Sequence, residues 1–201
     1  MKKIGVIIVS LFLVLMGCNS SQESTTEEAQ EEIRSEQNTP NYQDIGFKYA
    51  MTVKGILGKN LMGAIQKEGA ENAVSMCNTR AMVLVDSVAW SLNASIKRVS
   101  DKFRNPNNAA NELELNYINK SKEVLARGKK IKPKAQELDN KIVCFYPILT
   151  NAMCMQCHGE PNTQIKEATL DKIDELYPND LARGYAENQL RGIWVVEMDK
   201  E

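Results

Sequence analysis

The sequence predicts an α+β domain built around an antiparallel sheet. Apolar residues recur at helical spacing in the first half of the domain, whereas most of the short runs of β-branched and aromatic residues lie in the second half. Two or three helices therefore come first and most strands follow. This order is typical of α+β proteins, in which helices cover an antiparallel sheet.

The two N-terminal elements are predicted as helices. The first covers residues 44–68, where apolar residues lie three and four positions apart, and Gly55 and Gly58 are expected to weaken it. The second covers about residues 71–92, and Cys77 lies in the middle of its apolar stripe. A free cysteine on such a face is normally a small hydrophobic residue.

The later elements alternate between strands and helices. Strands are predicted over residues 94–100 and 140–149, and the segment GIWVVEM at 192–198 is apolar enough for a central strand. Further helices are expected at roughly 110–128, ending at a glycine, and at about 165–176.

The N-terminus is typical of an exported lipoprotein. Lys2 and Lys3 precede a short apolar stretch, residues 4–16, which is too short for a comfortable membrane span. The stretch ends in LMGC, which resembles a bacterial lipobox. Residues 1–17 are therefore interpreted as a signal peptide, and Cys18 as the residue that carries lipid after cleavage.

An acidic tether follows the predicted lipid anchor. Residues 18–39 hold six glutamates against one arginine, and Ile33 is their single large aliphatic side chain. Such a segment cannot bury enough apolar surface to fold, so the domain is predicted over residues 40–201. The expected location is outside the cytoplasm, anchored by lipid to the periplasmic side of a bacterial membrane or to the cell surface. The formal net charge of −1 gives no indication of nucleic-acid binding.

The segment CMQCH at residues 154–158 is the strongest motif in the chain. C-x-x-C-H is the attachment signature of c-type haem, since two thiols at this spacing reach the two vinyl groups of the porphyrin. The adjacent histidine then lies beneath the iron as the proximal ligand. Here the residues are Cys154, Cys157 and His158, followed by Gly159, which lets the backbone turn away.

Three other readings of the motif remain open at this point. A zinc site would recruit Cys77 or Cys144, yet the usual second pair of closely spaced ligands is missing. A redox dithiol would need a βαβ unit, which the pattern does not indicate, and a structural disulfide is compatible with export. Haem is favoured because c-type haem is attached outside bacterial cytoplasm, where the export signal directs this chain.

His158 is the only histidine in the sequence. If it is the proximal ligand, the opposite position is either open or filled by methionine, cysteine, lysine or a weaker donor. The chain has nine methionines, counted before processing, and Cys77 and Cys144 are the cysteine alternatives. The residues alone do not choose among them.

Four segments together resemble a known family, the single-haem c-type domains of a cyanobacterial soluble haem protein and of the periplasmic sensor regions of some bacterial kinases. They span much of residues 45–198 and are AVSMCNTRA (73–81), KRVSDKFRNPNNAANELE (97–114), CFYPILTNAMCMQCHGEP (144–161) and YPNDLARGYAENQLRGIWVV (177–196). The resemblance implies a PAS-like fold with one covalent haem c.

The resemblance also implies the ligand set. Cys154 and Cys157 would hold the haem, His158 would be the proximal ligand, and Cys77 occupies the position of a thiolate on the other side of the iron. From side-chain chemistry, Arg98 and Arg104 are candidate partners of the haem propionates, because guanidinium pairs with carboxylate in bidentate geometry. Arg80 is a weaker candidate.

Two functions follow from these expectations. One is a sensor of redox state or of a small gas such as CO or NO; since no output domain is seen in the sequence, the signal would pass to a partner protein. The other is an electron carrier that docks to a respiratory partner. An enzyme is not expected, because no second histidine exists to serve acid–base chemistry.

Overall fold

A computed structural model describes residues 40–200 and confirms the predicted α+β fold. Its centre is a four-stranded antiparallel sheet with the strand order β1-β4-β3-β2. The strands are β1 (Ser95–Val99), β2 (Lys134–Leu138), β3 (Lys141–Leu149) and β4 (Leu190–Asp199). The predicted signal peptide, lipidated Cys18 and acidic tether lie outside the described residues.

The C-terminal strand β4 is central, as its apolar sequence predicted. It pairs with β1 along one side, with Arg98 opposite Trp194, and with β3 along the other, with Cys144 opposite Val196. A strand paired on both sides and covered on both faces needs apolar residues at successive positions rather than in alternation. This explains the run from Ile193 to Val196.

The N-terminal helix α1 (Tyr42–Ser91) is interrupted at Gly69, where φ is +85° and ψ is 170°. Such a conformation is readily adopted only by glycine. Residues 42–68 and 70–91 therefore form two helical arms, close to the two predicted helices. Gly55 and Gly58 lie inside the first arm, which continues through them.

The two arms pack together on one face of the sheet. Their shared core contains Val53 and Leu57 from the first arm and Ala81 and Val85 from the second, and the side chain of Trp194 from β4. Residues that are equally far from Gly69 along the sequence, before and after it, thus share one core, as in a helical hairpin. The opposite face of the sheet is covered by α2 (Glu112–Ala126).

Strand β2 was not predicted. Its sequence KAQEL has no β-branched or aromatic residue, and it lies at the sheet edge next to β3. It pairs because Asp139 and Asn140, both with positive φ, form a two-residue turn into β3. Aspartate and asparagine tolerate this conformation, so the hairpin is specified by the turn rather than by the strand.

The CMQCH segment lies between β3 and β4. It begins in a short 3-10 turn, Ala152–Cys154, and continues into the one-turn helix α3 (Met155–His158). Helix α4 (Glu167–Leu176) follows and packs on α1. No helix within residues 40–200 is long and apolar enough to cross a membrane.

Candidate functional site

A cavity of about 270 Å³ lies between the helical hairpin, the sheet and the CMQCH segment. Both arms of α1 contribute to its wall, and the end of β1, the following loop and the start of β4 complete it. The lining residues used below are Cys77, Met82, Arg98, Arg104, Met153, Cys154, Cys157, His158, Tyr177 and Arg191. Most of the site residues predicted from sequence are therefore brought together here.

The two thiols of the CMQCH motif are presented to this cavity by a capped turn. The Asn151 side chain accepts a hydrogen bond from the backbone N–H of Cys154, at 3.3 Å, and so starts the turn. Cys154 and Cys157 are both partly buried free thiols. Burial raises the pKa of Cys157 to about 11, so this thiol is protonated near neutral pH.

The His158 imidazole is held by a backbone carbonyl. Its Nδ1 lies 2.8 Å from the carbonyl oxygen of Ala182, so Nδ1 carries the proton and donates. The ring stands edge-on to Tyr185, with the two ring centres 6.3 Å apart. Burial, together with the nearby Arg191 and Arg104 cations, lowers the pKa of His158 well below its usual value. The imidazole is therefore neutral, with the lone pair of Nε2 available to a ligand.

Gly159 is required for close packing rather than for a positive φ. A Cβ atom at this position would lie 2.7 Å from the Met155 carbonyl oxygen and 2.5 Å from Oε1 of Gln164. The Gly159 N–H donates to that same Met155 carbonyl. The glycine therefore closes α3 tightly and lets the chain leave the motif.

Cys77 lines the cavity from the second arm of α1. Its thiol is partly buried, and burial raises its pKa, although Arg98 and Arg104 act in the opposite direction. Cys77 and the CMQCH residues thus face one space from different elements. Its role as a ligand stays a prediction.

Cys144 lies elsewhere. It is fully buried in the core between the sheet and the helical hairpin, and its thiol donates to the Tyr42 carbonyl oxygen at 3.6 Å. It is absent from the cavity wall. This thiol behaves as a small core residue, which makes it a matched control for Cys77.

Arg98 extends from β1 over the ring of Trp194, with its guanidinium carbon 5.4 Å from the ring centre. Among residues 40–200, no carboxylate or hydrogen-bond acceptor pairs with it. Burial lowers its pKa, while Cys77 and Tyr177 act in the opposite direction. Arg98 is partly buried. A cation that has lost part of its hydration and has no anion favours a negatively charged group beside it in the cavity.

Arg104, in contrast, is already paired. Its Nε and Nη2 each lie 3.1 Å from a carboxylate oxygen of Asp180, and Nη2 also donates to the Cys157 carbonyl at 2.6 Å. The Asp180 side chain is fully buried. Only Nη1 has no hydrogen bond to a described residue. Arg80, the weaker candidate, is exposed and does not line the cavity.

Arg191 is a cavity residue that sequence reasoning missed. Its Nη1 donates to the Lys102 carbonyl at 3.1 Å, but its buried Nε has no hydrogen-bond partner among the described residues. Burial lowers its pKa. Its place directly before the predicted central strand could have indicated it, because arginine is rarely buried without a partner. Arg98 and Arg191 thus form a pair of cavity cations.

Within residues 40–200, no group of three or more histidine, cysteine or acidic side chains converges in a way that would hold a metal ion. Two methionines, Met82 and Met153, line the cavity. Of these, Met82 is 41% exposed and its sulfur accepts from the Asn105 side chain at 3.7 Å.

The fold and the site together define an α+β domain with a C-x-x-C-H cavity enclosed by a helical hairpin and a sheet. The chain belongs to the Tll0287-like family, whose model matches residues 18–198. The predicted family resemblance is thereby confirmed.

A solved structure shares this fold. It is the crystal structure of the cyanobacterial heme-protein Tll0287, with 22% sequence identity and a TM-score of 0.60. The match covers 81% of this chain and 98% of that one. None of the curated proteins matches the sequence.

Proposed function

We propose that this protein binds one haem c in the cavity. Thioether bonds from Cys154 and Cys157 would attach it, and Nε2 of His158 would ligate the iron. The observation that carries the proposal is that the two thiols and the neutral histidine line one cavity, with Nδ1 of His158 already engaged by Ala182. A backbone acceptor on one ring nitrogen is the usual way to orient the other toward a metal. Membership of the Tll0287-like family supports the same conclusion.

The cavity cations fit the anionic edge of such a group. Arg98 and Arg191 lack carboxylate partners among the described residues, and haem carries two propionates. We assign the propionates to these two arginines. The predicted role of Arg104 there is less favoured, because Asp180 already neutralises its charge.

Cys77 is proposed as the second ligand of the iron. It lines the same cavity and comes from an element separate from the CMQCH segment. The bound haem supplies a redox-active iron, and a thiolate stabilises the ferric over the ferrous state, so the reduction potential would be low. Release of Cys77 after reduction would leave room for CO or NO.

The biological role proposed is sensing of redox state or of a small gas, outside the cytoplasm. Lipid on Cys18 would anchor the chain to a bacterial membrane, and a partner protein would receive the signal. Catalysis of a reaction is not part of the proposal.

Electron transfer is the alternative function. It is favoured by Met82 and Met153, which line the cavity and provide a thioether ligand in place of Cys77. A His/Met pair has a high potential and retains both ligands in both oxidation states. The Met82→Leu and Met153→Leu variants test it, because one of them would change the spectrum of a His/Met protein and neither would change that of a His/Cys protein.

The test of the leading proposal is the optical spectrum of the haem-loaded protein, ferric and ferrous, beside Cys77→Ser. We expect a low-spin thiolate spectrum in the ferric wild type, lost in Cys77→Ser, and CO binding to the ferrous form. Cys144→Ser is the matched control, since Cys144 is buried but lies outside the cavity.

Two other spectroscopic results would contradict the proposed His158/Cys77 ligation. A methionine-type band that survives Cys77→Ser would support the electron carrier. If the exported chain acquires no haem in any of several expression hosts, haem binding is refuted.

A further inference from the structure

We propose that Arg104 is a positioning residue that fixes the orientation of the His158 ring. It would do so by clamping the loop that supplies the acceptor of Nδ1. The proposal rests on the proposed function in one respect, namely that His158 ligates iron. It assigns Arg104 a task different from binding an anionic ligand.

The Arg104 guanidinium lies between two backbone segments beside His158. Its Nη2 donates to the carbonyl of Cys157 at 2.6 Å and to the carbonyl of Ala182 at 3.3 Å. One nitrogen therefore joins the residue before His158 to the residue that accepts from His158. Two backbone segments that are distant in sequence are held together beside the ring.

The backbone of Ala182 is held at both of its polar groups. Its N–H donates to Oδ1 of Asp180 at 2.9 Å, while its carbonyl accepts from His158 and from Arg104. Asp180 in turn accepts from Nε of Arg104. The N–H and the carbonyl of Ala182 are thus both hydrogen-bonded to the Arg104–Asp180 ion pair.

The Arg104–Asp180 ion pair is largely shielded from solvent. The Arg104 side chain is 12% exposed and that of Asp180 is 0% exposed. Charge-assisted hydrogen bonds are strong and well defined in geometry when water is excluded. A planar guanidinium serves three acceptor groups at once here, which the ammonium of lysine does not reproduce.

Arg183 provides a matched control. It also donates to Asp180, at 2.7 Å, and forms a second ion pair with Asp174. It donates to neither the Cys157 nor the Ala182 carbonyl through its side chain. Loss of Arg183 would therefore weaken the interactions of Asp180 but leave the hydrogen bonds from Arg104 to the Cys157 and Ala182 carbonyls in place.

The experiment measures hydrogen exchange of the His158 Nδ1–H proton by NMR, in the full chain with and without haem. Because the sequence has one histidine, its imidazole signal is assigned without ambiguity. In Arg104→Gln we expect exchange of this proton to be faster by about tenfold, because the charge-assisted hydrogen bonds that hold its acceptor are lost. In Arg183→Gln we expect exchange near the wild-type rate. The Val195 amide in β4 reports global opening in each variant.

The outcomes separate positioning from general stability. Faster exchange confined to His158 supports the proposal, and so does a smaller increase in Arg104→Lys. This second variant retains a cation beside Asp180 and is measured in place of Arg104→Gln if that variant does not fold. Equal loss of protection at His158 and Val195, an unchanged His158 rate, or the same effect in Arg183→Gln would overturn it. A chain that never acquires haem would refute the proposed function, yet the haem-free measurement would still decide this proposal.

Discussion

A Cβ atom on Gly192 would lie 2.4 Å from the carbonyl oxygen of Val99. The two residues belong to neighbouring strands, β4 and β1, and both line the cavity. The contact is with backbone, which cannot rotate away as the end of a flexible side chain would. The glycine therefore sets how closely these strands approach at the cavity wall.

Gly192→Ala is expected to destabilise the protein by about 2 kcal/mol, because overpacking forces the strands apart. Urea unfolding of wild type and variant measures the difference. Gly55→Ala is the control: it lies in a helical arm with no atom within 4 Å of the added Cβ, and we expect it to stabilise by about 0.5 to 1 kcal/mol. An unchanged free energy of unfolding in Gly192→Ala would contradict the close approach of β4 to the Val99 carbonyl.

Asp180→Asn is expected to lower the free energy of unfolding by about 3 kcal/mol, because it leaves the buried Arg104 cation without its anion. Asp174→Asn is the matched comparison. Asp174 is 58% exposed and, among residues 40–200, forms an ion pair with Arg183 alone, so its loss should cost at most about 1 kcal/mol. Similar losses for both variants in urea unfolding would contradict a special role for the buried pair.

The same carboxylate predicts a dependence on pH. Burial alone would raise the pKa of Asp180, but the hydrogen bonds and charge of Arg104, with those of Arg183, lower it overall. Its contribution is therefore complete above the unfolded pKa of about 3.9 and is lost as the pH falls through the lower folded value. We expect the stability gap between wild type and Asp180→Asn to be constant from pH 7 to pH 5.

The gap should then narrow steadily on acidification below the unfolded pKa. Urea unfolding of both proteins along a pH series measures it. A gap that widens in acid would mean that the folded pKa of Asp180 is raised, and the assignment of the ion pair would be wrong.

Arg98→Leu is expected to raise the free energy of unfolding of the haem-free chain by at most about 1 kcal/mol, since it removes a partly buried cation that has no anion among the described residues. Arg80→Leu, at an exposed position, should change it by less than about 0.5 kcal/mol. Chemical unfolding of haem-free proteins is the measurement. A marked loss of stability in Arg98→Leu would show that its contact with the Trp194 ring outweighs the cost of burying its charge.

Much of the fold could be predicted because its elements have strong local patterns. The two helical arms, β1, β3 and β4 follow from apolar periodicity and β-branched runs, and even the central place of β4 could be read from its continuous apolar sequence. Strand β2 could not, because its side chains carry no strand preference and its pairing depends on the Asp139–Asn140 turn. The reversal of chain direction between the two helical arms depends on the backbone conformation of a single glycine, Gly69.

The site residues could be predicted where a short motif specifies their chemistry. They were harder to predict where a residue's role depends on contacts with distant parts of the chain. Cys154, Cys157 and His158 are adjacent in sequence, and their shared cavity follows from that spacing. Whether an arginine is free or paired depends on a partner far along the chain. Arg104 meets Asp180 only through the fold, whereas Arg191 is left with an unpartnered nitrogen for the same reason.

The central position of β4 also fixes an order of events during biosynthesis. Both ladders that β4 forms need residues 190–199, so neither β1 nor β3 has its main partner until β4 has been made. Cys154 and Cys157 precede that strand and therefore emerge before the domain closes around them. For a chain proposed to receive a covalent cofactor, this leaves an interval in which the attachment enzymes can reach both thiols.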